Sequence, residues 1–132
     1  MTFEYSNVSN LNGGRVDDER FYCLHSDLCK TLANAKRQMI MNALRDGEIS
    51  VGEIAQRTGI AQATLSQHLA IMRTRGVVNS RRAGASVLYS LSNPKILQAF
   101  DLITEVMRES LGEQARVAGT PEGSVADTAS VP

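Results

Sequence analysis

The chain has 132 residues, 42% of them hydrophobic, and a formal net charge of zero at neutral pH. That length leaves room for one domain, and no stretch approaches the roughly 18 consecutive apolar residues of a membrane span. The first residues, "MTFEYSNVSNLNGGR", lack the basic start and apolar block of a secretory signal, and the two cysteines form neither a C-x-x-C pair nor a zinc knuckle. A cytoplasmic protein with reduced thiols is the expectation.

Charge is unevenly spread. Between Lys36 and Ser90 lie eight of the fourteen Lys and Arg but only three of the fourteen Asp and Glu. A basic middle between acidic flanks is the electrostatic footprint of a polyanion-binding surface, which the overall balance conceals.

In chain order, residues 1 to 16 are rich in Asn, Ser and Gly without periodicity and read as a disordered arm. Asp17 or Asp18 caps a first helix with an apolar stripe of Phe21, Leu24, Leu28 and Leu32. Asn34 caps a second, with Met39, Ile40, Ala43 and Leu44 inward and Gly47 stopping it. Ser50 opens a short third helix and forms a capping box with Glu53. Gly59 ends that helix, and a tight turn leads into a fourth that begins near Gln62. Two short helices joined by a Gly-containing turn are the signature of a helix-turn-helix.

The fourth helix, within "GIAQATLSQHLAIMR", has two unlike faces. Leu65, Leu69 and Met72 form an i, i+4, i+7 stripe that belongs in a core. The other side holds Gln62, Ala63, Ser66, Gln67 and Ala70, with Arg73 at the end. It lacks the Lys and Glu that solvate an ordinary exposed helix. Small residues and amides suit a helix pressed into the DNA major groove, where Gln pairs with adenine and Ala can touch a thymine methyl. A solvated Gln- and Ser-bearing face is the plainer alternative.

After Gly76 the period falls to two, predicting strands over 77–82 and 86–91 around Ala83-Gly84-Ala85. Arg81 and Arg82 in that hairpin are candidate phosphate or minor-groove contacts. Asn93 and Pro94 then open a last helix. Its stripe of Ile96, Leu97, Phe100, Ile103, Val106, Met107 and Leu111 is wider than one partner inside a small domain requires. From Gly112 to the end the composition reads as a disordered tail, which leaves 17–111 as the folded DNA-binding and dimerisation domain.

The predicted architecture is mainly α with a small β-hairpin, a homodimeric winged helix-turn-helix. From about Leu24 to Leu91 the chain resembles the ArsR/SmtB family of bacterial dimeric transcriptional repressors, through "LCKTLANAKRQMI", "EISVGEIAQRTGIAQATLSQHLAIMRTRGVV" and "RRAGASVLYSL". Ala35 stands where the family usually has Pro, at a first-turn position that Ala tolerates. The resemblance implies a sequence-specific transcriptional regulator, a repressor that binds a pseudo-palindromic double-stranded operator as a homodimer. It gives His68 a role in orienting the recognition helix and meeting phosphate; a satisfied semi-buried histidine is the other reading. Thr64, Arg57 and Gln38 are further phosphate candidates.

Two of the family's known signal sites are missing. The arsenic and lead sensors carry E-L-C-V-C-D-L, where this chain has Ser50 and Gly52 in place of both cysteines. The zinc sensors place D-x-H and further His on the last helix, which here has none. The remaining soft ligands are Cys23, His25 and Cys29. One helix sets the two cysteines roughly 9 Å and about 120° apart, too far for one metal, whereas His25 and Cys29 share a face. They are either a sensor for a soft metal, metalloid or thiol-reactive signal, or packing residues, since free Cys is commonly buried. No metal is required for the fold, and its identity is open. No nucleophile–base pair, phosphate loop or closed metal set points to an enzyme. The alternative function is a winged-helix protein–protein module without an operator.

Overall fold

The computed structural model describes residues 19–118, so the expected arm, the Asp17 or Asp18 cap and the end of the expected tail lie outside the described residues. The order is α1 (Glu19–Leu32), α2 (Ala35–Ala43), β1 (Ile49–Ser50), α3 (Val51–Thr58), α4 (Gln62–Thr74), β2 (Val78–Ala83), β3 (Ser86–Leu91) and α5 (Lys95–Ala118). Residues up to Asn93 form one unit, and those from Pro94 onward a second.

In the first unit the caps follow the residue types at the helix ends. The Asn34 side chain accepts from the Arg37 amide at 3.2 Å, and the Ser50 hydroxyl from the Glu53 amide at 3.2 Å. Each satisfies one of the amides that a helix start leaves unpaired. Ser50 thus has a structural use as a helix cap. Gly59 ends α3 at φ +73, a left-handed conformation that a Cβ would strain, and its amide donates to Ala55 O.

The core is aliphatic. Ile40, Met41, Ile54, Leu65, Leu69, Met72, Val77 and Val78 are each less than 2% exposed. The stripe read on α4 is therefore buried in full. On α2 the inward set is shifted: Ile40, Ala43 and Leu44 are buried, but Met41 joins them and Met39 is 44% exposed. With apolar side chains at three successive positions, periodicity alone does not choose which of them turns inward.

The wing has a third strand that the sequence does not announce. The sheet order is β1-β3-β2, antiparallel throughout, with Ile49 opposite Tyr89 and Ser50 opposite Leu88. Two residues are too short to show a period, so β1 exists only through its pairing. Val78 to Ala83 pair with Leu91 to Ser86, and Gly84 at φ +64 takes the first turn position, the only one needing positive φ in a type II′ hairpin.

In the second unit, α5 continues past Leu111 to Ala118. Leu97 is buried, while Leu102, Ile103, Val106 and Met107 are 58–62% exposed. No helix among the described residues is long and apolar enough to cross a membrane.

Candidate nucleic-acid interface

The two faces of α4 separate, with Ile71, 39% exposed, the apolar exception. Leu65, Leu69 and Met72 are 0% exposed, whereas Gln62, Ala63, Ser66, Gln67, Ala70 and Arg73 are exposed and Thr64 and His68 are half-buried. The helix packs on α2, α3 and β2 through its apolar side. No side chain caps its start at Ala61, so its first amides are left for an outside acceptor, an arrangement that favours anions. The missing cap is visible in the sequence, where Ala61 stands in place of Ser, Thr, Asp or Asn.

His68 is oriented from behind. The Arg37 Nε–H donates to His68 Nδ1 at 3.2 Å, and Arg37 Nη1 donates to the Thr31 carbonyl at 3.0 Å, so one guanidinium joins the end of α1, α2 and α4. Because Nδ1 accepts, the ring is neutral and carries its proton on Nε2. Burial foremost, then the nearby charges of Arg37 and Lys36, hold the His68 pKa below its ordinary 6.5. His68 is therefore semi-buried and satisfied on one nitrogen, with the other still a donor.

The sign of the pH effect follows. A histidine that is harder to protonate in the folded state adds stability above its ordinary value near 6.5, and that contribution is lost as the pH falls through 6.5 towards the depressed folded value. The parent should lose more stability between pH 7 and pH 5 than His68→Gln, which keeps an acceptor for Arg37 but does not titrate. Urea midpoints at both pH values measure it, and equal losses in the two proteins would refute the assignment.

Gln38 and Arg57 are occupied within the fold. Gln38 Nε2 donates to the Leu32 carbonyl at 2.9 Å, and Arg57 Nη1 donates to the Ala43 carbonyl at 3.2 Å, with Glu53 3.7 Å from its Nη2. These side chains tie successive helices together.

The two wing arginines differ. On β2 the alternation puts Val78, Ser80 and Arg82 on one face and Asn79 and Arg81 on the other. Arg73, from the end of α4, donates to Ser80 Oγ at 3.4 Å, which marks Ser80's face as the one beside the recognition helix. Arg82 shares that face and is exposed. Arg81 reaches across β3 to Glu48, just before β1, with Nε–H and Nη2–H donating to both carboxylate oxygens at 2.6–3.0 Å. Hydrogen bonding to Arg81 holds the Glu48 carboxyl below the usual carboxylate range and raises the guanidinium in return.

On α1, Cys23 and Cys29 are both exposed, so neither packs in the core of the single chain. His25 Nδ1 lies 3.6 Å from Cys29 Sγ, as their shared face predicts. Among the described residues, no three His, Cys, Asp or Glu side chains converge as a metal site.

An amide-bearing helix with a buried apolar side, preceded by a short helix and tight turn and followed by a basic hairpin, defines a winged helix-turn-helix regulator of transcription. A profile described as "Bacterial regulatory protein, arsR family" matches residues 34–80. The chain is 41% identical over 76 residues to the transcriptional activator HlyU of Vibrio cholerae, spanning 58% of this chain and 70% of that protein. It is 42% identical over 73 residues to the biofilm growth-associated repressor of Xylella fastidiosa, spanning 55% of this chain and 64% of the repressor. The fold matches the homodimeric winged helix-turn-helix DNA-binding domain of a possible ArsR-family regulator from Mycobacterium bovis with a TM-score of 0.65, at 28% identity, over 77% of this chain and 94% of that one. The chain belongs to the arsR family of bacterial regulatory proteins. It is a DNA-binding transcriptional regulator.

Proposed function

We propose that the chain is a homodimeric, cytoplasmic repressor that reads a pseudo-palindromic operator with α4 in the major groove and the β2–β3 wing beside it. The observation that carries this reading is the division of α4, with its Leu65, Leu69 and Met72 stripe fully buried and its slim amide side exposed next to Arg73 and Arg82. One winged helix covers few bases, whereas a two-fold dimer sets recognition helices in successive major grooves about 34 Å apart. The relatives include both an activator and a repressor, and repression is the polarity proposed here.

Base readout and phosphate attachment separate by mutation. Gln62→Ala or Gln67→Ala should cost roughly 1–3 kcal/mol at the operator and relax specificity, because a lost base contact is felt only at the proper site. Arg82→Ala should weaken binding to all duplexes and lower the salt slope by about one per protomer. Footprinting on the DNA upstream of the chain's own gene, followed by anisotropy titrations, measures both. If no upstream fragment competes better than random duplex, the chain is a protein-interaction module instead.

The signal is proposed to act at α1. Cys23 and Cys29 are exposed and His25 adjoins Cys29, so two chains would offer four thiols to a soft metal, a trivalent arsenical or an oxidant that takes two electrons and joins two thiols in a disulfide. Such a bond would favour one dimer geometry over another and so release the operator. A Cys23→Ser, Cys29→Ser double variant should keep operator affinity and lose the response. Unchanged release by the same inducer would place the sensor elsewhere.

A further inference from the structure

The Glu48–Arg81 pair is not ordinary surface solvation. Its partners are 33 residues apart, and the guanidinium spans the central strand to reach a carboxylate beside the far edge strand. Both carboxylate oxygens are engaged, at 2.6–3.0 Å, by the Nε and Nη2 edge of the guanidinium. The side chains remain open to solvent, Arg81 at 61% and Glu48 at 31% exposure, so the pair is accessible to a competing anion.

We infer that Glu48 sets the affinity of the protein for DNA, by occupying the guanidinium edge of Arg81 that a backbone phosphate would otherwise take. Binding to the duplex gains from each cation that releases a condensed counterion. An arginine already neutralised by a carboxylate releases few counterions and so adds little. The wing then meets DNA with Arg82 as its active cation, on the face beside α4, while Arg81 is held on the opposite face. An exposed bidentate pair is weak enough for its removal to be read as a change in affinity rather than as unfolding. The inference rests on the reading of the β2–β3 hairpin as a DNA-contacting wing.

The test needs no known operator, because the term at issue is independent of sequence. The full chain and its Glu48→Gln, Arg81→Ala, Glu48→Gln/Arg81→Ala and Arg82→Ala variants are titrated against a fluorescein-labelled random-sequence duplex between 50 and 200 mM NaCl, with thermal melts as the check on folding. Glu48→Gln is expected to tighten binding about tenfold per dimer and to steepen the salt slope by about two. The gain should vanish when Arg81 is also removed. Glu48→Asp, which keeps the charge but withdraws the carboxylate by one methylene, should tighten binding by a smaller factor and serves should Glu48→Gln fold poorly. Weaker binding by Glu48→Gln would overturn the inference, since the carboxylate would then be orienting Arg81 for phosphate. No change, or a gain that persists without Arg81, would overturn it as well. Arg82→Ala distinguishes the two failures: if it weakens binding, the wing reading stands and only the role of Glu48 falls, whereas unchanged binding removes the wing reading and this inference with it.

Discussion

Placing a charge on the exposed stripe of α5 should abolish dimerisation and, with it, operator binding. Val106→Glu and Met107→Glu are the changes of choice, because these side chains are 62% and 58% exposed. Burial of a Val or Met side chain contributes about 1.5–3 kcal/mol, and a two-fold interface counts each position twice. One substitution should therefore weaken a dimer built on this stripe by about 3–6 kcal/mol, roughly two to four powers of ten in dissociation constant, before the cost of a buried charge is added. Sedimentation at micromolar concentration should show a dimeric parent and a monomeric variant with the same thermal melt. The variant should retain only weak, salt-sensitive DNA binding. A monomeric parent would remove the dimer from the proposal, and a dimeric variant would move the interface away from this part of α5.

Truncating the other side of the recognition helix should act through stability. Leu69 is fully buried, and Leu69→Ala should cost about 2–5 kcal/mol, of which the lost transfer of the side chain is one part and the unfilled cavity the other. Against a total of about 5–15 kcal/mol for an ordinary domain, that is a large share. Gln67, exposed on the same helix, provides the contrast. Gln67→Ala should stay within about 0.5 kcal/mol of the parent in stability while losing operator discrimination. Urea midpoints and competition titrations on the pair of variants would then separate one helix into a stability face and a recognition face. Comparable urea midpoints for the two would mean that the packing of α4 has been misjudged.

Much of this protein was determined by its sequence acting locally. The split of α4 follows from spacing alone, because residues three and four apart share a helix face whatever surrounds them. The caps at Asn34 and Ser50 and the stop at Gly59 depend on the chemistry of one side chain or one φ angle, and the structure has each of them. The change of period after Gly76 placed the wing to within a residue.

What only the tertiary structure decided are the partnerships between distant residues. Arg81 and Arg82 are neighbours with the same chemistry, yet the strand alternation puts one beside Glu48 and the other on the face of the recognition helix. The two-residue strand β1 is defined by Tyr89 and Leu88, with no period of its own. Arg37 settles the tautomer of His68 from 31 positions away. Cys29, on an amphipathic helix where packing in the core was the plainer expectation, is exposed. Periodicity records which side of an element a residue occupies. Register and packing bring particular side chains within hydrogen-bonding distance, and those distances decide which cations and which ring nitrogens are engaged inside the fold.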